Sequence, residues 1–259
     1  MSGVDKPPIT HVIFDLDGLL IDTEPTYTEV NRRTMAKFGK EFSVDLKPRT
    51  MGMKHRAAIQ LMIDAVGLHD KVSVDEYCAI YDPDLHTHLP YCPMMKGAMR
   101  LVRHLAKHRI PMAICSGSRD REFNLKVKNH KELTDLIPLQ VNDVMNTLNC
   151  GIGSPVCQAL LALVRASDDP EIAEGKPAPD AFLVTMRRFS VKPASAANVL
   201  VFEDAPNGVL AAIAAGMQVV MVPDLSYSKP PENERHRIAF VLKSLEDFKP
   251  ESMGLPPYD

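Results

Sequence analysis

Asp15 and Asp17 flank a leucine and precede Gly18 at the end of the apolar run HVIFDLD, residues 11–17. On an extended chain, side chains at i and i+2 leave on the same side, so the two carboxylates face one space. Gly18 lets the backbone turn sharply beside them. Like charges held this close need a cation or a proton between them, which points to metal binding, acid–base work or both. Read alone, the tetrapeptide fits equally well a capping aspartate followed by a turn aspartate. Three other segments end apolar runs or loops with chemically useful groups. Cys115-Ser116-Gly117-Ser118-Arg119-Asp120 puts small hydroxyls and a glycine before a helical stretch, where free amides and the helix dipole favour an anion. Ser and Asp at that place are also ordinary N-caps. Glu174-Gly175-Lys176-Pro177-Ala178-Pro179-Asp180 holds one lysine between prolines, either to balance a phosphate or to stay solvated. Val201-Phe202-Glu203-Asp204-Ala205-Pro206-Asn207-Gly208 ends in two acids, hard oxygen donors of the kind Mg²⁺ takes.

Strand ends are where open α/β sheets gather ligands, and the surrounding sequence supplies such a sheet. Four apolar runs, near 11–17, 111–116, 198–204 and 218–224, read as strands buried on both faces. Helical periodicity lies between them: Gly97 to Arg109 carries Ala98, Leu101, Val102 and Leu105 on one face, and 180–189 and 206–215 behave similarly. Strands alternating with helices predict an α/β fold. From Glu24 to about Cys92 the chain is instead helical and Met-rich, with turn signals at Phe38-Gly39, Gly67 and Pro83 and no buried-strand run. It reads as an all-helical insertion between the first two strands. The expected division is a core of residues 1–23 and 93–259, an inserted helical unit of 24–92, and an atypical stretch at 137–163. The proline-rich end, with Pro230, Pro231, Pro250, Pro256 and Pro257, reads as a surface-hugging tail.

Composition narrows the function classes. The 259 residues are 45% hydrophobic and 24% charged, an ordinary folded composition. Thirty basic against 33 acidic side chains give a net −3, which lacks the positive field of a nucleic-acid binder. Five widely spaced cysteines with no C-x-x-C pair signal neither a disulfide framework nor a zinc site, and fit a reducing compartment. The start has no apolar signal core, and the longest apolar stretch, Val209 to Val222, is too short to span a bilayer. It reads as a helix, a Gly216 cap and a strand. The expectation is a cytoplasmic monomer with a small phosphorylated metabolite as its partner, and neither a nucleic-acid polymer nor a membrane. No G-x-G-x-x-G follows a strand and no P-loop is present, which argues against a dinucleotide oxidoreductase or an ATPase. His104 and His108 at i and i+4, amid Arg100, Arg103, Lys107 and Arg109, read as a solvated basic face, as do His86 and His88. Cys115 reads as a small core residue, and Met51, Met53 and Met62 as core of the helical insertion.

Taken in order, Asp-x-Asp-Gly, strand-Ser, Lys-Pro and strand-Glu-Asp resemble the four motifs of the haloacid dehalogenase-like hydrolase superfamily. The helical segment between the first two motifs is similar to the small helical cap of one subgroup. FDLDGLLIDTEP, the His130-Lys131-Glu132 helix end, SDDPEIAEGKPAPDAF, VLVFEDAPNGVLAAIAAGMQVVMVPD and the terminal GLPPYD are similar to members of that family that dephosphorylate pseudouridine 5'-phosphate. The resemblance implies a Rossmann-like parallel-sheet core and a phosphatase that uses Mg²⁺. It further implies Asp15 as nucleophile forming an aspartyl-phosphate, and Asp17 as general acid and base. Ser116, the Gly117 amide and Lys176 would bind the phosphoryl oxygens. Asp15, the Asp17 carbonyl and Asp204, with Glu203 direct or through water, would hold the metal. In the cap, Thr50 to Arg56 resembles the substrate-specificity loop. Gly52, Lys54 and Arg56 are its candidate substrate residues, or simply the start of a solvated helix, with Tyr27 and Glu24 further along the cavity.

One segment departs from the family. Where relatives pass directly from the His130 helix end to a strand, Ile137 to about Leu163 intervenes here. Val156, Ala159, Leu160, Leu163 and Val164 have helical spacing after a Gly- and Pro-containing loop. The segment is either a tolerated excursion or one that disturbs the approach to Lys176. Rival readings are accordingly a phosphosugar mutase, which uses the same covalent intermediate, and a catalytically impaired binding or regulatory variant.

Overall fold

The computed structural model describes residues 7–50, 53, 55–137, 163–165 and 171–259. Six strands form one parallel sheet: β1 (His11–Phe14), β2 (Met112–Ser116), β3 (Leu163–Arg165), β4 (Val199–Glu203), β5 (Gln218–Met221) and β6 (Ile238–Val241), in the order β3-β2-β1-β4-β5-β6. From β1 the chain builds outward to β3, then crosses back to place β4 on the other side of β1. The order of strands therefore reverses between β1 and β4, the crevice where such sheets bind ligands.

The four apolar runs form the central strands because each has two faces to bury. Val12, Phe14, Met112, Ile114, Leu200 and Phe202 join one core layer. Ile13, Ala113, Cys115, Val199 and Val201, their neighbours in sequence, join the other. Helix α5 (Ala98–Lys107) packs Leu101 and Leu105 on the first layer; α8 (Asp180–Arg188) and α9 (Pro206–Ala214) pack Phe182 and Val209 on the second. The apolar stretch Val209 to Val222 divides as its sequence predicts: α9 ends, Gly216 takes φ +76°, and β5 follows.

Between β1 and α5 lie α1 (Glu24–Lys37), α2 (Lys47–Thr50), α3 (His55–Ala65) and α4 (Val74–His88), the helical cap inserted into the Rossmann-like core. Val30, Met35, Ile59, Met62, Tyr77, Tyr81 and Leu85 form its interior. Ser73 and Glu76 close a capping box at the start of α4. Gly39 and Gly67 turn at φ +67° and +66°, but the turn predicted at Pro83 does not occur. Pro83 lies inside α4 on its exposed side, and the buried Tyr77, Tyr81 and Leu85 anchor the helix on either side of the lost backbone bond.

Other sequence expectations are corrected at the edges. Leu163 and Val164, counted with a helical stripe, belong to β3, paired with Ile114 and Cys115 of β2. The remainder of the departing segment, 138–162, lies outside the described residues. The C-terminal tail is part of the core: Leu245, Phe248 and Leu255 are buried, and Phe248 stacks edge-on against Phe202 at 4.8 Å. His104 is correspondingly not a solvated residue. It is buried, 2.8 Å from the Pro256 carbonyl and beside the Tyr258 ring, because the chain end folds over that face of α5. His86 is likewise partly enclosed, 3.0 Å from Glu122.

Candidate active site

β1 ends at Phe14, and Asp15 continues its ladder by donating its amide to the Phe202 carbonyl of β4 at 3.0 Å. β4 itself ends in Glu203, followed by Asp204. Side by side at the point where the strand order reverses, these ends bring together Asp15, Glu203 and Asp204, whose ligand oxygens lie within 4.8 Å of one another. All three residues are buried. Lys176, joined to Pro177 by a cis peptide bond, reaches them from the loop before α8. Its Nζ donates to Asp15 Oδ1 at 2.6 Å, Glu203 Oε1 at 2.5 Å and the Cys115 carbonyl at 3.1 Å.

Two glycines make room for this cluster. Gly18 turns at φ +76°, and a Cβ there would stand 2.3 Å from Asp204 Oδ2. A Cβ on Gly208, in the first turn of α9, would lie 2.0–2.2 Å from the Glu203 carboxyl atoms. Both positions exclude any side chain, so the acids occupy space that the backbone leaves to them.

Charge decides the protonation behaviour. Three carboxylates against one ammonium leave −3 + 1 = −2 when all are ionised. Burial pushes the Asp15 carboxyl up despite Lys176, and pushes Glu203 up to about 7. Asp204 is raised well above the usual range by burial, then by repulsion from Asp15 and Glu203. Lys176, despite burial, is held charged by Asp15 and Glu203. The residual charge matches one divalent cation, and the donor set is all oxygen, the preference of Mg²⁺.

Asp17 sits in a separate, balanced arrangement. Lys126 of α6 (Asp120–Val127) places Nζ 2.5 Å from Asp17 Oδ1, and Thr23 donates to the same oxygen at 2.7 Å. Ser118 donates to Asp17 Oδ2 at 2.9 Å and accepts from Lys126 at 2.6 Å. Burial raises the Asp17 carboxyl, but Lys126, Thr23 and Ser118 outweigh it and bring it below the ordinary value. Ser116 is fully buried beneath this group: its Oγ accepts the Ser118 amide at 3.1 Å and lies 2.9 Å from Ser118 Oγ. Lys126, Thr23 and Ser118 are thus partners of Asp17 that the motif reading did not single out. Ser118 stood in the quoted loop, whereas Lys126 carried no local signal beyond its place on the helix after that loop.

A single cavity joins both groups to the cap. Asp15, Asp17, Gly117, Ser118, Lys176, Glu203 and Asp204 form its floor. Tyr27, Thr28, Asn31, Thr50, Met53, His55, Ile59, Met62 and Tyr81 close it from the cap side, together with Glu24 paired to Lys47 at 3.2 Å. Glu24 and Tyr27 do line it, as their position after the first motif suggests. Met53 and Met62 are at the cavity wall as well as in the cap. Arg56 is elsewhere: it is exposed and binds Asp75 at 2.6 Å. Gly52, Lys54 and Met51 lie outside the described residues.

The family model for haloacid dehalogenase-like hydrolases matches residues 9–216. The chain is 42% identical over 258 residues to "(DL)-glycerol-3-phosphatase 1, mitochondrial" of Arabidopsis thaliana, covering 100% of this chain and 78% of that protein. It is 38% identical over 250 residues to "Probable pseudouridine-5'-phosphatase" of Drosophila melanogaster, covering 96% of each. Among solved structures, a phosphonoacetaldehyde hydrolase-like protein of Oleispira antarctica superimposes with a TM-score of 0.69 at 15% identity, over 95% of this chain and 92% of that one, a likeness of fold. Since the matched stretch runs from the start of β1 past the end of α9 and so contains every floor residue, the chain belongs to the haloacid dehalogenase-like hydrolases.

Proposed function

We propose that this protein is a phosphatase of small phosphomonoesters, working through an aspartyl-phosphate on Asp15 with Mg²⁺ as cofactor. The observation that carries the reading is the floor itself: three buried carboxylates around one lysine that pairs with Asp15 and Glu203, with a residual −2. Asp15, Glu203, Asp204 and the Asp17 carbonyl would hold the cation, which when bound supplies positive charge between the nucleophile and the phosphoryl oxygens.

Asp15 attacks the phosphorus in line. The P–O bond to the ester oxygen breaks, and Asp17 gives that oxygen a proton. In the second displacement Asp17 takes a proton from water, whose oxygen attacks the same phosphorus. The P–O bond to Asp15 then breaks, releasing inorganic phosphate and restoring the carboxylate. Lys126, Thr23 and Ser118 favour ionised Asp17, the form that the second step uses. An arriving phosphate competes for Lys126 and Ser118 and so raises the proton affinity of Asp17 for the first step. Lys176, the Gly117 amide, Ser116 and Ser118 are the anion-binding groups, with Ser116 acting from beneath the floor through Ser118.

We take residues 24–92 as the cap over a core of 1–23 and 93–259. Its wall offers Tyr27, Thr28, Asn31 and His55 to the leaving group, groups suited to hydroxyls. Glycerol 3-phosphate, from the names of relatives, therefore stands beside pseudouridine 5'-phosphate as a candidate substrate. Cys78, Cys92 and Cys115 are free thiols, which suits a reducing compartment such as the cytoplasm. Among the described residues no helix is long and apolar enough to cross a membrane.

The test is phosphate release from polyol, sugar and nucleoside monophosphates with Mg²⁺. Wild type should release phosphate, a chelator should stop it, and Asp15→Asn should lower it about a thousandfold or more. Equal release by Asp15→Asn would overturn the mechanism. Transfer of the phosphoryl group to a second sugar in place of its release would make the enzyme a mutase.

A further inference from the structure

Two groups of three metal-ligating side chains occur among the described residues, and only one of them is the floor. The other lies in the cap. His55 opens α3, and Cys78 and Asp82 stand four residues apart on one face of α4. Their ligand atoms lie within 4.8 Å of one another.

The geometry is that of atoms converging on a shared point. His55 Nε2 is 3.1 Å from Asp82 Oδ1, yet that oxygen is buried with no hydrogen-bond partner. The two atoms are close without the N–H pointing at the oxygen. Cys78 Sγ is 3.7 Å from the same nitrogen. A tetrahedral Zn²⁺ with ligand bonds of about 2.0–2.3 Å holds its ligand atoms roughly 3.3–3.8 Å apart. Both spacings from the His55 nitrogen are within a few tenths of an ångström of that range, and the Cys78 sulfur and an Asp82 oxygen lie within 4.8 Å of each other. Asp82 Oδ2 accepts from Arg119 at 3.1 Å, a contact that fixes the carboxylate and leaves Oδ1 turned toward His55 and Cys78.

We propose that His55, Cys78 and Asp82 form a second metal site, selective for a borderline-soft divalent cation such as Zn²⁺ over Mg²⁺. An imidazole nitrogen and a thiolate sulfur favour Zn²⁺ or Co²⁺, whereas Mg²⁺ prefers the all-oxygen floor. On binding, Cys78 gives its thiol proton to solvent, so the sulfur enters as thiolate. Three protein ligands leave a fourth position, and His55 is on the cavity wall, so that position borders the space where the leaving group would sit. A loaded site also ties α3 to α4 and holds the carboxylate that positions Arg119, another wall residue. Zn²⁺ is therefore expected to slow turnover while Mg²⁺ saturates the floor.

Co²⁺ titration with excess Mg²⁺ tests the site without any assay of activity. Wild type should take up one equivalent and develop the near-ultraviolet thiolate-to-Co²⁺ charge-transfer band. Asp15→Asn, altered only at the floor, should do the same. Cys78→Ser should lose the band, and both Cys78→Ser and His55→Gln should lower Zn²⁺ affinity about tenfold or more, by competition with a chromophoric chelator. Melting curves without metal check that each variant is folded, and Zn²⁺ should raise the melting temperature of wild type but not of Cys78→Ser. No thiolate band in wild type, a band that survives in Cys78→Ser, or one that disappears in Asp15→Asn would each overturn the assignment.

Discussion

The floor and the cap-side wall of one cavity handle buried charge in opposite ways. On the wall Glu122 takes Arg119 through both oxygens, and from behind it His86 lies 3.0 Å from Glu122 while Asp82 takes Arg119 at 3.1 Å. Burial pushes Glu122 up, but Arg119 and His86 outweigh it and its carboxyl ends below its ordinary value; Asp82 follows the same pattern with His55 and Arg119. On the floor three carboxylates share Lys176, and Glu203 rises to about 7. Glu24, at the seam, is raised by burial even with Lys47 beside it. Both regions are enclosed, so what separates them is how basic groups are shared out: Glu122 and Asp82 each have two basic neighbours, whereas Asp15, Glu203 and Asp204 have Lys176 among the three of them. The wall is a closed electrostatic junction between α4 of the cap and α6 of the core, while the floor is left short of positive charge, the condition for recruiting a cation.

Removing Lys176 should widen the difference most. Lys176→Ala leaves three buried carboxylates without a cation, and breaking such a pair costs about 3–5 kcal/mol. Urea unfolding of the metal-free protein should show that loss, and phosphate release should fall by about a thousandfold or more. A milder floor change is Lys126→Met. It spares the acidic trio and unbalances Asp17, and acid–base catalysis of this kind is worth about 10²–10⁴-fold. A turnover drop in that range, with little change in Mg²⁺ affinity, would separate the roles of Asp15 and Asp17. Gly208→Ala tests whether the floor depends on space: a methyl would overlap the Glu203 carboxyl, costing about 1–3 kcal/mol by overpacking and weakening Mg²⁺ binding. Gly39→Ala in the cap meets nothing within 4 Å, although its φ of +67° strains any side chain. It should cost about 1–2 kcal/mol and leave Mg²⁺ affinity unchanged. Equal effects on Mg²⁺ from both glycine variants would remove the distinction.

The same division governs what the sequence discloses. Floor residues are legible because β1, β2 and β4 are buried on both faces, so each is a continuous apolar run whose polar end stands out. β6 is not: it is an edge strand with one covered face, and Phe240 is 37% exposed. β3 is shorter still, and its three residues take their conformation from the β2 ladder. The wall is hidden for another reason. Arg119 and Asp82 are 37 positions apart and His86 and Glu122 are 36 apart, so each reads locally as a solvated charge until the cap is placed on the core. Lys126 and His104 fail in the same manner: a basic residue on a helix looks solvated, and only Asp17 in one case and Pro256 and Tyr258 in the other show otherwise.

The smallest expected effect concerns the wall, and its sign is fixed by the direction of one pKa. Arg119 and His86 bring the Glu122 carboxyl below its ordinary 4.5, so the unfolded chain takes up a proton before the folded one does. The contribution of this group to stability is therefore complete above about pH 4.5 and is lost as the pH falls through the lower folded value. Glu122→Gln keeps the size and removes the charge. At pH 7 the variant should be less stable by about 1–2 kcal/mol, the scale of hydrogen bonds to a charged group at a partly open junction. Below pH 4.5 wild type should lose stability more steeply, so the two unfolding curves should converge. Parallel curves down to pH 3 would mean that the Arg119–Glu122–His86 group adds nothing to holding α4 on α6. The contrast between a closed wall and an open floor would then reduce to a property of the floor alone.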